Sequence, residues 1–189
     1  NYRVKDVART RTARERARRN IRPQFMVQKQ VQNRILDALE KRLEVQKKNP
    51  SDAVSPENRP SGDAEWARTR EVATLIAESL LDRGIIRDLS VFDRLNQQQK
   101  ALLVYHGATE AGPVTRREVN VSTLRNTFLD LQRVGPQARQ IVRNLYPDFE
   151  HAEFVVGLLK ELLRPTVTFN DKQFERGLER ADKQVQTYY

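Results

Sequence analysis

Residues 63–84 read DAEWARTREVATLIAESLLDRG and are the most regular part of this 189-residue sequence. Asp63 is a residue type that caps helix N-termini, and Gly84 is one that ends helices. Between these ends apolar side chains return at helical spacing, at Trp66, Ala73, Ile76 and Leu80. The stretch therefore predicts an amphipathic helix with those four side chains on its buried face.

The same spacing extends to both sides of this helix. Val31, Ile35, Leu39 and Leu43 recur every four residues and predict a long helix over 25–47. Further helices are predicted over 88–97, 97–105, 136–146 and 149–164, with two more beginning at the capping residues Ser122 and Asn170. The fold class that follows is all-α, a bundle of about seven to eight short-to-medium helices with a basic N-terminal helical arm.

Two segments fit the helical pattern less clearly. Thr115-Arg-Arg-Glu118 has the form of a capping box and indicates another helix start. Thr166-Val-Thr-Phe169 is β-prone, but it is only four residues long and no partner strand is evident. The alternating pattern of a β-sheet is missing, so these segments do not change the all-α prediction.

Proline and serine divide the chain. Pro50, Pro56 and Pro60 fall within eleven residues, and Ser51, Ser55 and Ser61 lie in the same segment, so a helix cannot continue there. The predicted organisation is a basic arm at 1–24, a long amphipathic helix at 25–47, a Pro/Ser-rich loop or linker at 48–62 and a helical body at 63–189.

Composition excludes several functional classes. The chain has no Cys, so disulfides, thiol catalysis and iron–sulfur clusters are ruled out. Mean hydropathy is −0.73, and no stretch approaches the roughly 18 apolar residues of a membrane span, so no membrane contact is predicted. His106 and His151 lie far apart without the spacing of metal ligands, and His151 is expected to be exposed in the first turn of its helix. Phosphate-binding loops are absent, and the prediction is a non-enzyme without catalytic residues, metal, cofactor or small-molecule substrate.

Positive charge is concentrated at the start of the chain. Residues 1–22 contain nine basic and two acidic residues, a net charge of +7, whereas the whole chain carries +9. A solvated helix end, docking on a protein surface and unspecific contact with the backbone of nucleic acid all fit this arm. The predicted partner-contact residues are Arg9, Arg11, Arg14, Arg16, Arg18, Arg19 and Arg22.

Part of the chain resembles a known family. One stretch runs from Asn49-Pro50 through Glu71-Val-Ala-Thr-Leu-Ile-Ala-Glu-Ser-Leu-Leu-Asp-Arg-Gly-Ile-Ile-Arg87 to Asp93-Arg-Leu-Asn-Gln97. A second comprises Ala101-Leu-Leu-Val-Tyr-His-Gly-Ala-Thr-Glu-Ala-Gly-Pro-Val-Thr-Arg116 and the helix with Thr123-Leu-Arg-Asn-Thr-Phe-Leu-Asp-Leu131. Over about 49–131 they resemble the hexon-linking minor capsid protein (protein IIIa) of adenoviruses.

The resemblance implies a structural cement protein beneath the icosahedral vertices of a virion. Its implied partners are the penton base, the surrounding hexons and neighbouring minor proteins, and it would lie in the capsid interior and, during assembly, in the host nucleus. The alternative from the residues alone is a helical nucleic-acid-associated protein, of ribosomal or nucleoid type, that binds phosphate backbones through residues 1–22.

Overall fold

The computed structural model describes residues 6–49, 51, 58–107 and 115–185, in which helices and strands alternate along the chain. The α-helices are α1 Val7–Arg19, α2 Lys29–Lys48, α3 Asp63–Arg83, α4 Val121–Thr127, α5 Val134–Leu145, α6 Ala152–Leu162 and α7 Asp171–Gln184. The strands are β1 Gln24–Gln28, β2 Ile85–Ile86, β3 Lys100–His106, β4 Thr115–Asn120, β5 Leu129–Asp130 and β6 Val167–Phe169. The segments Leu89–Arg94 and Leu131–Arg133 are 3-10 helices.

The six strands form one mixed sheet in the order β4-β3-β1-β6-β2-β5. Strand β1 runs parallel to β3 and antiparallel to β6, and β2 runs parallel to both β5 and β6. The all-α prediction is therefore wrong, and the fold is α/β. Strands β2 and β5 contribute only two residues each, too few to show an alternating pattern in the sequence.

Three segments for which the sequence predicts a helix or no partner strand belong to this sheet. The helix predicted over 97–105 is largely β3, where buried Ala101 and Leu103 alternate with the half-buried Leu102. The capping box predicted at 115–118 is the start of β4, an edge strand that pairs with β3. The β-prone segment at 166–169 does have partners, because β6 pairs with β1 on one side and β2 on the other.

The helices α2, α3, α5 and α6 pack together around one hydrophobic cluster, here called the helical core. Trp66, Ala73, Ile76 and Leu80 are buried in it, as the sequence predicts, and Trp66 meets Phe154 edge-on at 5.7 Å between ring centroids. The helix predicted over 25–47 is shorter at its start, since residues 24–28 form β1 and α2 begins at Lys29.

A second cluster, here called the sheet core, covers one face of the sheet. At its centre Phe25 of β1 has no exposed surface, and its ring centroid lies 5.0 Å from Phe92, 5.6 Å from Phe128 and 5.1 Å from Phe169. Phe174 of α7 extends the cluster beyond Phe169. Aromatic side chains from separate elements thus hold this half of the molecule together.

Strand β2 joins the two cores. Ile85 belongs to the helical core and Ile86 to the sheet core, because successive side chains of a strand point to opposite faces. Gly84 leads into the strand with φ +85°, and a Cβ atom there would lie 2.8 Å from a methyl group of Val167. The buried Thr166 accepts a hydrogen bond from the Ile85 N–H at its Oγ1, 3.0 Å away.

The predicted division into arm, helix, linker and body stays a prediction. Residues 1–5 of the predicted arm and residues 50 and 52–57 of the predicted linker lie outside the described residues. At the end of the linker region Pro60 is buried, and the Arg59 guanidinium donates to the main-chain oxygens of Gln46 and Lys47 at the end of α2.

Candidate functional site

An open cleft of about 640 Å³ lies at the carboxyl ends of β2 and β6. Its walls are the 3-10 helix Leu89–Arg94 on one side and the end of β6 with the start of α7 on the other. Buried Ile86 and Val167 and half-buried Val91 and Phe169 form an apolar floor. We call this feature the strand-end cleft; in open α/β sheets the carboxyl ends of strands are the usual place for ligands.

The cleft exists because β2 ends before β6 does. On β6, the even-numbered residues bond to β1: Thr166 O accepts from Gln28 N–H at 2.8 Å, and Asn170 N–H donates to Gln24 O at 2.9 Å. In an antiparallel ladder the main chain of Phe169 therefore points the other way, toward β2. Strand β2 has ended there, so Phe169 N–H and C=O have no strand partner on this side among the described residues.

The chain after β2 turns away from β6 because other acceptors hold it. The Leu89 N–H donates to Oδ2 of Asp130 at 3.1 Å, and the Ser90 N–H donates to Oδ1 of Asp88 at 2.8 Å. The latter bond lowers the pKa of Asp88, because it stabilises the charged form of the carboxylate. These bonds fix the first wall of the cleft.

An ion pair connects the two walls. The Arg94 guanidinium donates to Oδ1 of Asp171, the first residue of α7, at 2.5 Å, and it lies 5.7 Å from the centroid of the Phe169 ring. Arg87 also lines the cleft and is exposed, but its side chain has no hydrogen bond or ion pair with any residue that the structure describes. The cleft therefore offers an apolar floor, an uncommitted guanidinium and a free peptide group, a combination suited to a small amphipathic anion.

A second cavity, about 540 Å³, surrounds His151 next to α3, and both His151 and Arg68 in its lining already have partners. His151 Nδ1 lies 2.8 Å from the carbonyl oxygen of Asn58, and Nε2 lies 3.2 Å from Oε2 of Glu65. Arg68 stacks on the Tyr146 ring at 5.0 Å. The prediction that His151 is exposed is wrong, because its side chain is 14% exposed and links α3 to residue 58.

The predicted partner-contact arginines lie on α1 and just after it, and the structure gives them different surroundings. Arg18 forms a two-pronged ion pair with Asp182 of α7, with Nε–Oδ1 and Nη2–Oδ2 distances of 2.9 and 2.6 Å. Arg11 pairs with Glu15 at 3.1 Å, and Arg22 pairs with Glu118 of β4. The arm therefore packs on the body through α7. All seven predicted side chains are exposed: Arg9, Arg11, Arg14, Arg16, Arg18, Arg19 and Arg22.

No local sequence pattern predicts the strand-end cleft. Its key side chains, Arg87, Arg94 and Phe169, come from segments 82 residues apart that meet only through the sheet. The β-prone run at 166–169 was the available signal, since a partner for it would have placed Phe169 at a strand end. No group of three or more His, Cys, Asp or Glu side chains in the described part of the chain is arranged to hold a metal ion.

Comparison with models of protein families gives a match over the whole chain. The model of the family 7TMR-HDED, described as 7TM-HD extracellular, matches residues 1–189. No curated protein matches the chain, and no solved structure does. Among the described helices, none has both the length and the apolar character needed to cross a bilayer.

The family match overturns the resemblance to the adenovirus hexon-linking protein, which rested on helix-and-turn patterns without a specific signature. The capsid cement function, the penton base, hexon and minor-protein partners, and the location in the capsid interior and host nucleus are therefore wrong. The nucleic-acid alternative gains no support. The prediction of no membrane contact is also wrong at the level of the family, because 7TM-HD proteins are membrane proteins.

Proposed function

The chain belongs to the 7TM-HD extracellular family, and on that premise we propose that it is a sensory domain whose ligand binds in the strand-end cleft. The observation that carries this proposal is the uncommitted Arg87 guanidinium at the rim of an apolar floor. A charged side chain beside apolar surface fixes the orientation of an amphipathic ligand. The ligand class is a small organic anion with an apolar body.

In this arrangement each part of the cleft has a separate role. The apolar body of the ligand packs on Phe169 and Val91, where it covers half-buried surface. A carboxylate or phosphate accepts two parallel hydrogen bonds from Arg87. The free N–H and C=O of Phe169 add polar contacts that select for hydrogen-bonding substituents on the ligand.

The position of the cleft connects ligand binding to α7. The Arg94–Asp171 ion pair bridges the two walls, and Asp171 begins α7 immediately after the Asn170 cap. A ligand anion near Arg94 competes with Asp171 for the guanidinium and changes the restraint on this helix end. Helix α7 carries the change toward Asp182 and its partner Arg18 on α1.

The experiment is a titration of the 189-residue chain, labelled with ¹⁵N, with two probes that differ in charge. Phenylacetate is the anionic probe and phenylacetamide is its neutral match. We expect phenylacetate to shift the amide signals of Arg87, Arg94 and Phe169, and phenylacetamide to bind at least about 10-fold more weakly, as expected for loss of a charge-assisted bond.

Arg87→Gln tests the assigned side chain and Arg133→Gln is its matched control, because Arg133 is an exposed arginine outside the cleft. Arg87→Gln should remove the preference for phenylacetate, whereas Arg133→Gln should keep it. Equal shifts with both probes, or shifts confined to the cavity around His151, would contradict the proposal. That the chain is not an enzyme stays a prediction, since the proposed role requires only reversible binding.

A further inference from the structure

Helix α1 carries far more positive charge than the helix against which it packs. Its thirteen residues include six arginines and one glutamate. The fourteen residues of α7 hold four acidic and four basic side chains, so α7 as a whole does not neutralise its neighbour. A surplus of about five positive charges therefore stays on one surface helix.

The buried side of α1 shows which of these arginines face outward. Thr10 is buried and Ala13 and Ala17 are half-buried, and Ile21, just after the helix, packs against Gly177 of α7. With 100° between successive residues, the opposite side of the helix holds three exposed arginines. These three residues, here called the basic face, are Arg11, Arg16 and Arg19.

Acidic side chains do little to offset the basic face. Glu15 is the acidic residue within α1, and it pairs with Arg11 at 3.1 Å. Arg16 and Arg19 have no ion pair with any described residue. The inward ion pair of Arg18 with Asp182 holds the helix in place, so the basic face is presented by an ordered helix.

We propose that the basic face docks on anionic phospholipid headgroups of the membrane that anchors the protein. The 7TM-HD family places an extracellular domain beside a bilayer, which puts such headgroups within reach. Guanidinium groups suit phosphate oxygens because their planar donors bind two oxygens at once. The one large apolar side chain of α1 is the 71%-exposed Val7, so the helix lies on the surface and does not insert.

The inference is independent of the strand-end cleft and is tested without its ligand. The probe is a set of vesicles of pure phosphatidylcholine and of phosphatidylcholine mixed with phosphatidylglycerol, sedimented with the 189-residue chain. We expect binding to the phosphatidylglycerol vesicles alone, at about 0.1 M salt, and its loss at about 1 M salt, where charges are screened within about 3 Å.

The charge-reversal variant Arg16→Glu with Arg19→Glu should weaken binding to the anionic vesicles at least about 25-fold, at about fivefold for each arginine. The matched control is Arg133→Glu with Arg143→Glu, which changes the net charge equally at exposed sites on and next to α5. The control should bind within a few-fold of the native chain. Circular dichroism verifies that both variants keep the fold, since all four side chains are exposed.

Three results would overturn the proposal. Equal binding to phosphatidylcholine vesicles would show that charge does not direct docking. Equal losses in both double variants would assign the attraction to net charge and not to the basic face. Absence of vesicle binding together with retention on immobilised polyglutamate would reassign the face to acidic proteins.

Discussion

The helical core and the sheet core are built from sequence in different ways. In the helical core each long helix supplies a series of buried residues at regular spacing, as α3 does from Trp66 to Leu81. In the sheet core the central rings of Phe25, Phe92, Phe128 and Phe169 come from four separate segments, one ring from each. The first core is therefore local in sequence, whereas the second forms only when distant segments meet.

The largest expected effect tests whether the two cores are one cooperative unit. Phe25→Ala should lower the free energy of unfolding by about 3–5 kcal/mol, since the fully buried ring leaves a cavity among three aromatic neighbours. Leu158→Ala, the counterpart in the helical core, should cost about 2–5 kcal/mol. Trp66, the one tryptophan of the sequence, reports on the helical core by fluorescence.

If the cores unfold together, Phe25→Ala shifts the Trp66 fluorescence midpoint and the circular dichroism midpoint by the same amount of denaturant. A fluorescence midpoint that stays at its native value while circular dichroism shows an earlier phase would separate the cores. The helical core and the sheet core would then be two separate folding units.

Gly84→Ala changes the residue that connects α3 to β2. The new Cβ would meet Val167 at 2.8 Å and Phe128 at 3.0 Å, and the positive φ of +85° adds strain. We expect a loss of about 2–4 kcal/mol in urea unfolding. Gly62→Ala is the control: nothing lies within 4 Å of that position and its φ is −105°, so the expected change is below about 1 kcal/mol.

Thr166→Val removes one polar bond beside β2 at nearly constant volume. The buried Ile85 N–H loses its acceptor at Oγ1, which should cost about 1–3 kcal/mol. Thr168→Val makes the same change at an exposed position of β6 and should stay within about 0.5 kcal/mol. Equal losses in the two variants would show that strand propensity, and not the hydrogen bond, sets the effect.

The smallest expected change in stability concerns a surface ion pair between α5 and α6, two helices of the helical core. Arg139 donates two hydrogen bonds to Glu153, which lowers the pKa of Glu153 below its ordinary value of 4.5. The Glu153 side chain is 50% exposed, so the pair contributes less than about 1 kcal/mol.

Because the folded state binds this proton less readily than the unfolded state, the contribution is present above the unfolded pKa and is lost as pH falls through the folded pKa. Arg139→Ala should therefore differ from the native chain at neutral pH, and the difference should shrink below about pH 4.5. Arg34→Ala, on an exposed part of α2, should show no such pH dependence in urea unfolding. A difference that persists to the lowest pH would mean that the guanidinium stabilises by packing alone.

Sequence reasoning succeeded where a structural period repeats within one element. The buried face of α3, the Gly84 stop and the Asn170 cap of α7, whose side chain accepts from Gln173 N–H, were all predicted from local pattern. It failed for β3, where Leu102 and Leu103 were assigned to a helix because both are apolar. Their alternation is visible only once β1 and β4 lie on either side.

The candidate site was missed for the same physical reason. Arg87 and Phe169 have no local signature, and they become neighbours only through the pairing of Ile86 with Val167. The arginines of α1 were found because charge density is a property of contiguous sequence. Their inward and outward roles required α7, which follows about 150 residues later.

The pairing of Val27 with Val167 affects how the chain folds during synthesis. The middle of the sheet closes a loop of about 140 residues, so its formation waits until nearly the whole domain has been made. Until then β1 lacks its antiparallel neighbour and exposes an edge that other chains can join. Slow refolding, and aggregation when synthesis stops before residue 167, are thus built into the strand order.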